Sequence, residues 1–509
     1  MKKLMALMTA LALMLCSGAA LAEAEYPPAI TDEDVTLKVT RYIRDIDNID
    51  VNGLWYNEHL EELTGVHVDY TAISQSDFAT QLNLMFASGE YPDILIDCGN
   101  LVDMEMYAVD QGVFMALDDL INEHMPNYKA LMEKNDLTYK STVASDGNIY
   151  AIGYIADSGE HISNGYNFIN GKWLEELNLS MPTTLDEFYN VLVEFKKAHP
   201  DSYIWEGEFA EIWTALSPMW GITENSKWFS IYDDGVVRFN ATVDGYRAML
   251  EFAAKLYAEE LMDPAIITQD SNTKIAKFNE NNTGFALLWR TRSMGWDCFV
   301  DQMVRMPYFA ADGYETKIRE NIALANKQVW LPYTCSNPEI AAKWVDYQLT
   351  PQLAFEGFYG PEGTLWNWNA EGKCELGPAG DQECVKWAYG VNTICYMPGN
   401  VYNDHFQQPD YRLERINYAK EADVAGHTEK YPQGYVSGLA NLNAEESQEI
   451  ALLFASIDTL MKESIADFVS HGVTDDGWNA FQQRLIDAGI ERYVEIYQGV
   501  FDRYMATQQ

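Results

Sequence analysis

Phe86-Ala-Ser-Gly-Glu-Tyr-Pro-Asp-Ile-Leu-Ile-Asp-Cys98 is the stretch on which the reading of this chain turns. It closes an amphipathic run from Asp77 to Phe86. Ser88-Gly89 stops that helix, because glycine takes the left-handed conformation after a last turn without a Cβ clash. Pro92 disfavours the α conformation at Tyr91 and sends the chain out extended. Ile94-Leu95-Ile96 is a short unbroken apolar run, the mark of a strand covered on both faces. Asp97, Gly99 and Asn100 follow at its carboxyl end, where open α/β sheets hold ligands. Those polar groups serve either a ligand or the cap of the next helix.

Upstream, Val35–Thr40 alternates as a first strand, Trp55–Thr64 is a helix closed by Gly65, and Val66–Tyr70 is the next strand. Downstream, Met115–Ile121 begins a helix, and Ser145–Ile152 is a tight turn entering a strand. This alternation predicts an α/β fold with a mostly parallel sheet flanked by helices. A second unit starts near Tyr154: strand Asn167–Asn170, a helix opened by Pro182-Thr183-Thr184 and running to Ala198, the aromatic-rich Ser202–Trp220, and an amphipathic helix Gly245–Leu261. The segment Asn272–Asn279 precedes a buried strand Gly284–Trp289, and strand pieces follow at Ile322–Ala325 and Gln328–Leu331. Asn337 and Pro338 open a helix to Tyr347. A Gly- and Trp-rich loop spans Gly357–Asn369, and the rest is mainly helical, with amphipathic runs at Ala444–Val469 and Asp475–Tyr504.

At 509 residues the chain exceeds one ordinary domain. Its net charge of −43 opposes nucleic acid and anionic lipid surfaces. Residues 1–22 read as a signal peptide: Lys2-Lys3, an apolar Leu4–Leu15, and Ala20-Leu21-Ala22 as the cleavage site. Glu23 is then the expected new N-terminus, and residues 23–35 a short acidic tether. Lipid attachment at Cys16 is the second option, disfavoured by the bulky Leu15 before it. The other six cysteines show no C-x-x-C and no zinc spacing; Cys374 and Cys384 are close enough in sequence to pair, or remain buried thiols. No G-x-S-x-G, H-E-x-x-H, P-loop or G-x-G-x-x-G after a strand occurs. A secreted glycosidase, which needs only two placed carboxylates, stays open at this level.

Several segments in order carry a resemblance: Thr64-Gly-Val-His-Val68, Leu84–Ile96, Asp146-Gly-Asn-Ile-Tyr150, Trp173–Leu179 with Pro182–Phe188, Leu256–Pro264, Ser336–Glu339, and the tail from Trp478 to Arg503. With them the chain resembles the family 1 extracellular solute-binding proteins of bacterial ABC importers, the group of maltose-binding and alginate- or oligosaccharide-binding proteins. The resemblance implies a type II periplasmic-binding-protein fold of two α/β lobes, with 36–153 and 320–356 in the first and 154–319 and 357–509 in the second. The chain would cross between lobes near Ile152–Ala156, near Met306–Ile322 and near Gly357. It implies an extracytoplasmic receptor, monomeric and without cofactor. The receptor would capture a neutral oligosaccharide in the cleft and pass it to permease subunits; a peptide or modified sugar is the alternative ligand. Relatives often carry a calcium loop after the Pro-Thr-Thr helix. Here Lys196–Tyr203 lacks the alternating Asp/Asn ligands, so no metal is expected there.

Sugar sites pair aromatic faces with a few placed polar groups. Trp55 faces the cleft or the core side of its own helix. Asp97 and Asn100 follow a strand end. Trp205 and Glu206 lie where maltose-binding relatives place a polar-aromatic cluster. Trp289 and Arg290 end a strand facing the cleft, unless Arg290 neutralises a buried acid. Trp366 and Trp368 lie in the third crossover loop, as contacts or as packing.

Overall fold

The computed structural model describes residues 26–507 other than 44–49, 97–101, 135–138, 141, 155–164, 224–226, 281, 289–301, 320–325, 378–403 and 432–441. The signal-peptide segment, Cys16, Asp97, Asn100, Trp289 and Arg290 therefore lie outside the described residues. In chain order the strands are β1 (Val35–Ile43), β2 (Val66–Ser74), β3 (Ile94–Ile96), β4 (Ala151–Tyr154), β5 (Tyr166–Asn170), β6 (Tyr203–Trp205), β7 (Phe229–Ile231), β8 (Val237–Phe239), β9 (Thr283–Leu288), β10 (Met303–Arg305), β11 (Asn326–Trp330), β12 (Trp366–Trp368) and β13 (Cys374–Leu376).

Two sheets organise them. The first has the order β2-β1-β3-β11-β4, the second β10-β5-β9-β6. In the first, β1 runs parallel to β2 and β3, while β11 runs antiparallel to β3 and β4. Each sheet has its own apolar core. Leu37, Val39, Ile94, Ile96 and Val329 pack in the first lobe, and Ile169, Phe188, Trp205, Leu250 and Phe285 in the second. Among the described residues no helix is long and apolar enough to cross a membrane.

The Phe86–Cys98 stretch forms as its residues require. The helix Gln75–Ser88 ends on Gly89 at φ 72°, whose N–H donates to the Met85 carbonyl at 3.0 Å. All three β3 residues are buried. Asp93, just before them, is buried too. Its carboxylate accepts from the Lys38 N–H on β1 and from the Ser336 N–H and hydroxyl beyond β11, each at 2.9 Å. One side chain thus registers three neighbouring strands. Gly65 closes the helix Trp55–Thr64 at φ 72°, and a Cβ there would run into the Thr31 carbonyl. Thr184 caps the helix Leu185–Ala198 by accepting from the Glu187 N–H at 3.2 Å.

Three expectations are corrected. The helix expected from Met115 begins at Asp118, because the Met115 N–H is taken by the Leu331 carbonyl at 3.0 Å and Phe114 bridges Pro332. The loop expected from Gly357 starts later: Gly357 lies inside the helix Pro351–Tyr359, where its neighbours Phe355 and Phe358 join the first core. Leu365, Trp366, Cys374 and Phe406 belong to that same core, so this part of 357–509 packs with the first lobe. The helices Ala444–His471, Asp475–Asp487 and Ile490–Thr507 pack on the second. The run Asp475–Tyr504 is two helices, parted at Gly489 with φ 89°.

Candidate functional site

Topology points the two sheets at each other. β4 runs in the same sense as β1, β2 and β3, since both it and β3 are antiparallel to β11. The chain leaves the first lobe at the end of β4 and enters the second at the start of β5. Tyr166, the first residue of β5, pairs with Leu288, the last of β9, and β6 is parallel to β9. The carboxyl ends of the parallel strands in both lobes therefore face the connections between the lobes, the position at which α/β sheets bind ligands. In the sequence Asp97 and Asn100 follow β3, and Trp289 and Arg290 follow β9; all four lie outside the described residues.

The described candidates divide. Trp205 is fully buried, edge-on to Phe285 with centroids 4.9 Å apart. Trp366 is fully buried, and its indole N–H donates to the Gly360 carbonyl at 2.8 Å. Both indoles fill lobe interiors. Trp55 is half-buried and stacked on His59 at 4.7 Å. Trp368 is half-buried and donates to Gln352 at 2.7 Å. These two pack against the first core.

Glu206 leaves the end of β6 and enters a polar knot. Gln269 donates to its carboxyl at 2.5 Å and to the Gly207 carbonyl. Lys277 stands 3.7 Å from Glu206, pairs with Asp263, and donates to Gln269 at 2.6 Å. Burial first, then a hydrogen bond and the charge of Asp263, push the Glu206 carboxyl up to about 9, so it holds its proton at neutral pH. Burial alone would raise Asp263 as well. Hydrogen bonds from Glu206, Lys277 and the Ala265 N–H outweigh it and hold that carboxyl below the usual range. One turn further, Lys274 bridges Glu208 and Glu211 at 2.7 Å each, and Ser271 donates to Glu208 at 2.8 Å. Glu206 itself has no exposed surface, so its carboxyl is held inside the lobe by Gln269 and Lys277.

Sequence reasoning missed a second cluster at the same end. Arg305, on β10, lies over the rings of Tyr166 at 5.1 Å and Tyr418 at 4.3 Å and pairs with Glu414. Tyr308 stacks on Tyr418 at 5.2 Å. Three of these five residues sit in short strands or the turn after one, and two on a helix more than a hundred positions away, so no local spacing announced them. Cys335 and Cys374 are buried free thiols.

The model of the family described as bacterial extracellular solute-binding protein matches residues 48–354. The fructooligosaccharide ABC transporter substrate-binding protein FusA of Streptococcus pneumoniae is 26% identical over 519 residues, spanning 94% of this chain and 92% of that protein. A FusA structure in complex with fructo-nystose superposes with a TM-score of 0.81 at 24% identity, covering 93% of this chain and all of that one. The alginate-binding protein AlgQ2 without calcium ion gives a TM-score of 0.78 at 22% identity, covering 94% and 100%. The two-lobed fold is thus the type II periplasmic-binding-protein fold, and this chain belongs to the bacterial extracellular solute-binding protein family.

Proposed function

We propose that this protein is an extracytoplasmic receptor of an ABC importer that captures a neutral oligosaccharide between its lobes and hands it to permease subunits. The observation carrying the reading is the opposition of two sheets through their strand carboxyl ends across the interlobe connections. The relatives named for fructooligosaccharide and alginate support a carbohydrate. The protein acts by binding alone. Glu206 has no exposed surface and Asp263 is only 7% exposed, so neither carboxyl is open to the glycosidic bond that hydrolytic carboxylates flank. It works as a monomer, and its net charge keeps it from nucleic acid. It needs no calcium after the helix Leu185–Ala198, where β6 begins at Tyr203, too soon for a loop of about 12 residues.

Trp289 is the proposed stacking face and Arg290 the proposed multi-donor fork, with Asp97 and Asn100 opposite them. A thermal-shift screen of neutral and uronate oligosaccharides should raise the melting midpoint with the cognate sugar, since a ligand bound only by the folded state stabilises it. Trp289→Ala should then weaken calorimetric binding by roughly thirtyfold or more, the loss of one anchoring aromatic at about 2 kcal/mol. Product appearing from the sugars on incubation, or a peptide pool shifting the midpoint where no sugar does, would overturn the reading.

A further inference from the structure

We propose that Asp103 and Ser447 form a latch between the lobes, a positioning pair that sets how far the cleft stands open. The proposal rests on the cleft being the ligand site and adds a means of controlling it.

The helix Ala444–His471 has 28 residues, about 42 Å of length at 1.5 Å per residue. Ile450, Ile457, Met461, Ile465 and Phe468 seat it in the second core. Its first turn is fixed to that lobe as well. Asn443 and Glu446 make a reciprocal capping box, and Arg503 from the helix Ile490–Thr507 grips Glu446 with two bonds, at 3.0 and 2.7 Å. Ser447 lies on the side of the helix that carries Ile450 and Ile457, so the buried stripe continues past the second core. There the stripe meets the first lobe. The Ser447 hydroxyl, on a residue only 8% exposed, donates to the Asp103 carboxylate.

Asp103 belongs to the segment that follows β3, and its other oxygen accepts from the Met106 N–H at 2.9 Å, capping the π-helical turn Glu105–Asp110. That turn is anchored in the first lobe, where buried Glu105 accepts from the Ser145 N–H at 3.0 Å. A carboxylate facing the first turn of a helix is also favoured by the helix dipole. The bond therefore joins two rigid bodies: the segment after β3 that leads out of the cleft end, and the longest helix of the opposite lobe. Moving the lobes apart pulls on this bond, which costs more to break because its acceptor is charged.

Ser447→Asp tests the latch, since aspartate suits a helix's first turn yet sets a second carboxylate against Asp103. Small-angle scattering of the ligand-free protein should show a larger radius of gyration for Ser447→Asp than for the parent. The exchange Asp103→Ser with Ser447→Asp should restore the parental value, because it rebuilds the hydroxyl–carboxylate pair in reverse. Scattering that is unchanged by Ser447→Asp, or unrestored by the exchange, overturns the proposal. If Ser447→Asp fails to fold, Ser447→Ala decides. Hydrogen exchange at residues 105–110 should then quicken by roughly tenfold through loss of one bond to a charged group, and unchanged exchange is a refutation. No sugar enters either measurement, so a failed ligand screen and a failed latch remain separate results.

Discussion

Trp205→Ala should lower the unfolding free energy of the ligand-free protein by about 3–5 kcal/mol and leave the affinity for its sugar unchanged. The indole has no exposed surface, meets Phe285 edge-on at 4.9 Å, and packs in the second core beside Ile204 and Phe285. Alanine opens a cavity between the sheet and its covering helices, and close-packed interiors relax only partly into such a space. The indole N–H is buried without a hydrogen-bond partner. Trp205→Phe should therefore recover more stability than its lost area suggests, since it also removes a polar group that folding leaves unsatisfied. Urea denaturation without ligand, set beside calorimetric titration, separates packing from contact. A variant of normal stability that no longer binds sugar would return Trp205 to the cleft.

Trp205 also shows how far residue patterns reach. The alternation that predicts strand and helix is a local property, and it placed β1, β2, β3, β9, the helix that ends at Gly65 and the helix that starts after Thr184 correctly, because burial acts at periods of two and 3.6 residues. The sequence also points to the strand ends, since polar residues follow apolar runs there. It does not tell which way an aromatic at such an end turns. Trp205 and Glu206 are neighbours, and the first fills the core while the second enters a polar knot. The partners that decide this, Gln269, Lys277 and Asp263, are 57 or more positions away by their own numbers and join only when the sheet forms. Gly357 misled for a related reason. Glycine reads as a loop residue, yet Gly357 is a buried residue inside the helix Pro351–Tyr359, whose Phe355 and Phe358 join the first core.

Lys277→Met should cost about 3–5 kcal/mol at neutral pH, the range for removing one partner of a buried ion pair. Among the described residues Lys277 is the one cation paired with Asp263, which is 7% exposed, and it also faces the fully buried Glu206. Methionine keeps the length of the stem but leaves a buried carboxylate with only Glu206 and the Ala265 N–H, at 2.7 Å, as donors. The double variant Lys277→Met with Asp263→Asn should recover most of the loss, because the uncompensated charge goes with its partner. The pH dependence carries a second signature. The folded pKa of Asp263 is depressed, so its contribution is present above the unfolded value and is lost as pH falls through the folded one. The deficit of Lys277→Met should accordingly shrink in acid. Glu206 has the opposite sign. Its folded pKa of about 9 exceeds the ordinary glutamate value of 4.5, so its contribution is complete below the latter and is lost as pH rises towards the former, at up to about 1.4 kcal/mol per pH unit. Glu206→Gln, which cannot ionise, should lose less stability than the parent between pH 5 and pH 9. Urea midpoints of the four proteins across that range and into acid give both signs in one experiment. A Lys277→Met deficit that stays constant into acid would mean that the lysine acts through the packing of its stem and not through its pairing with Asp263.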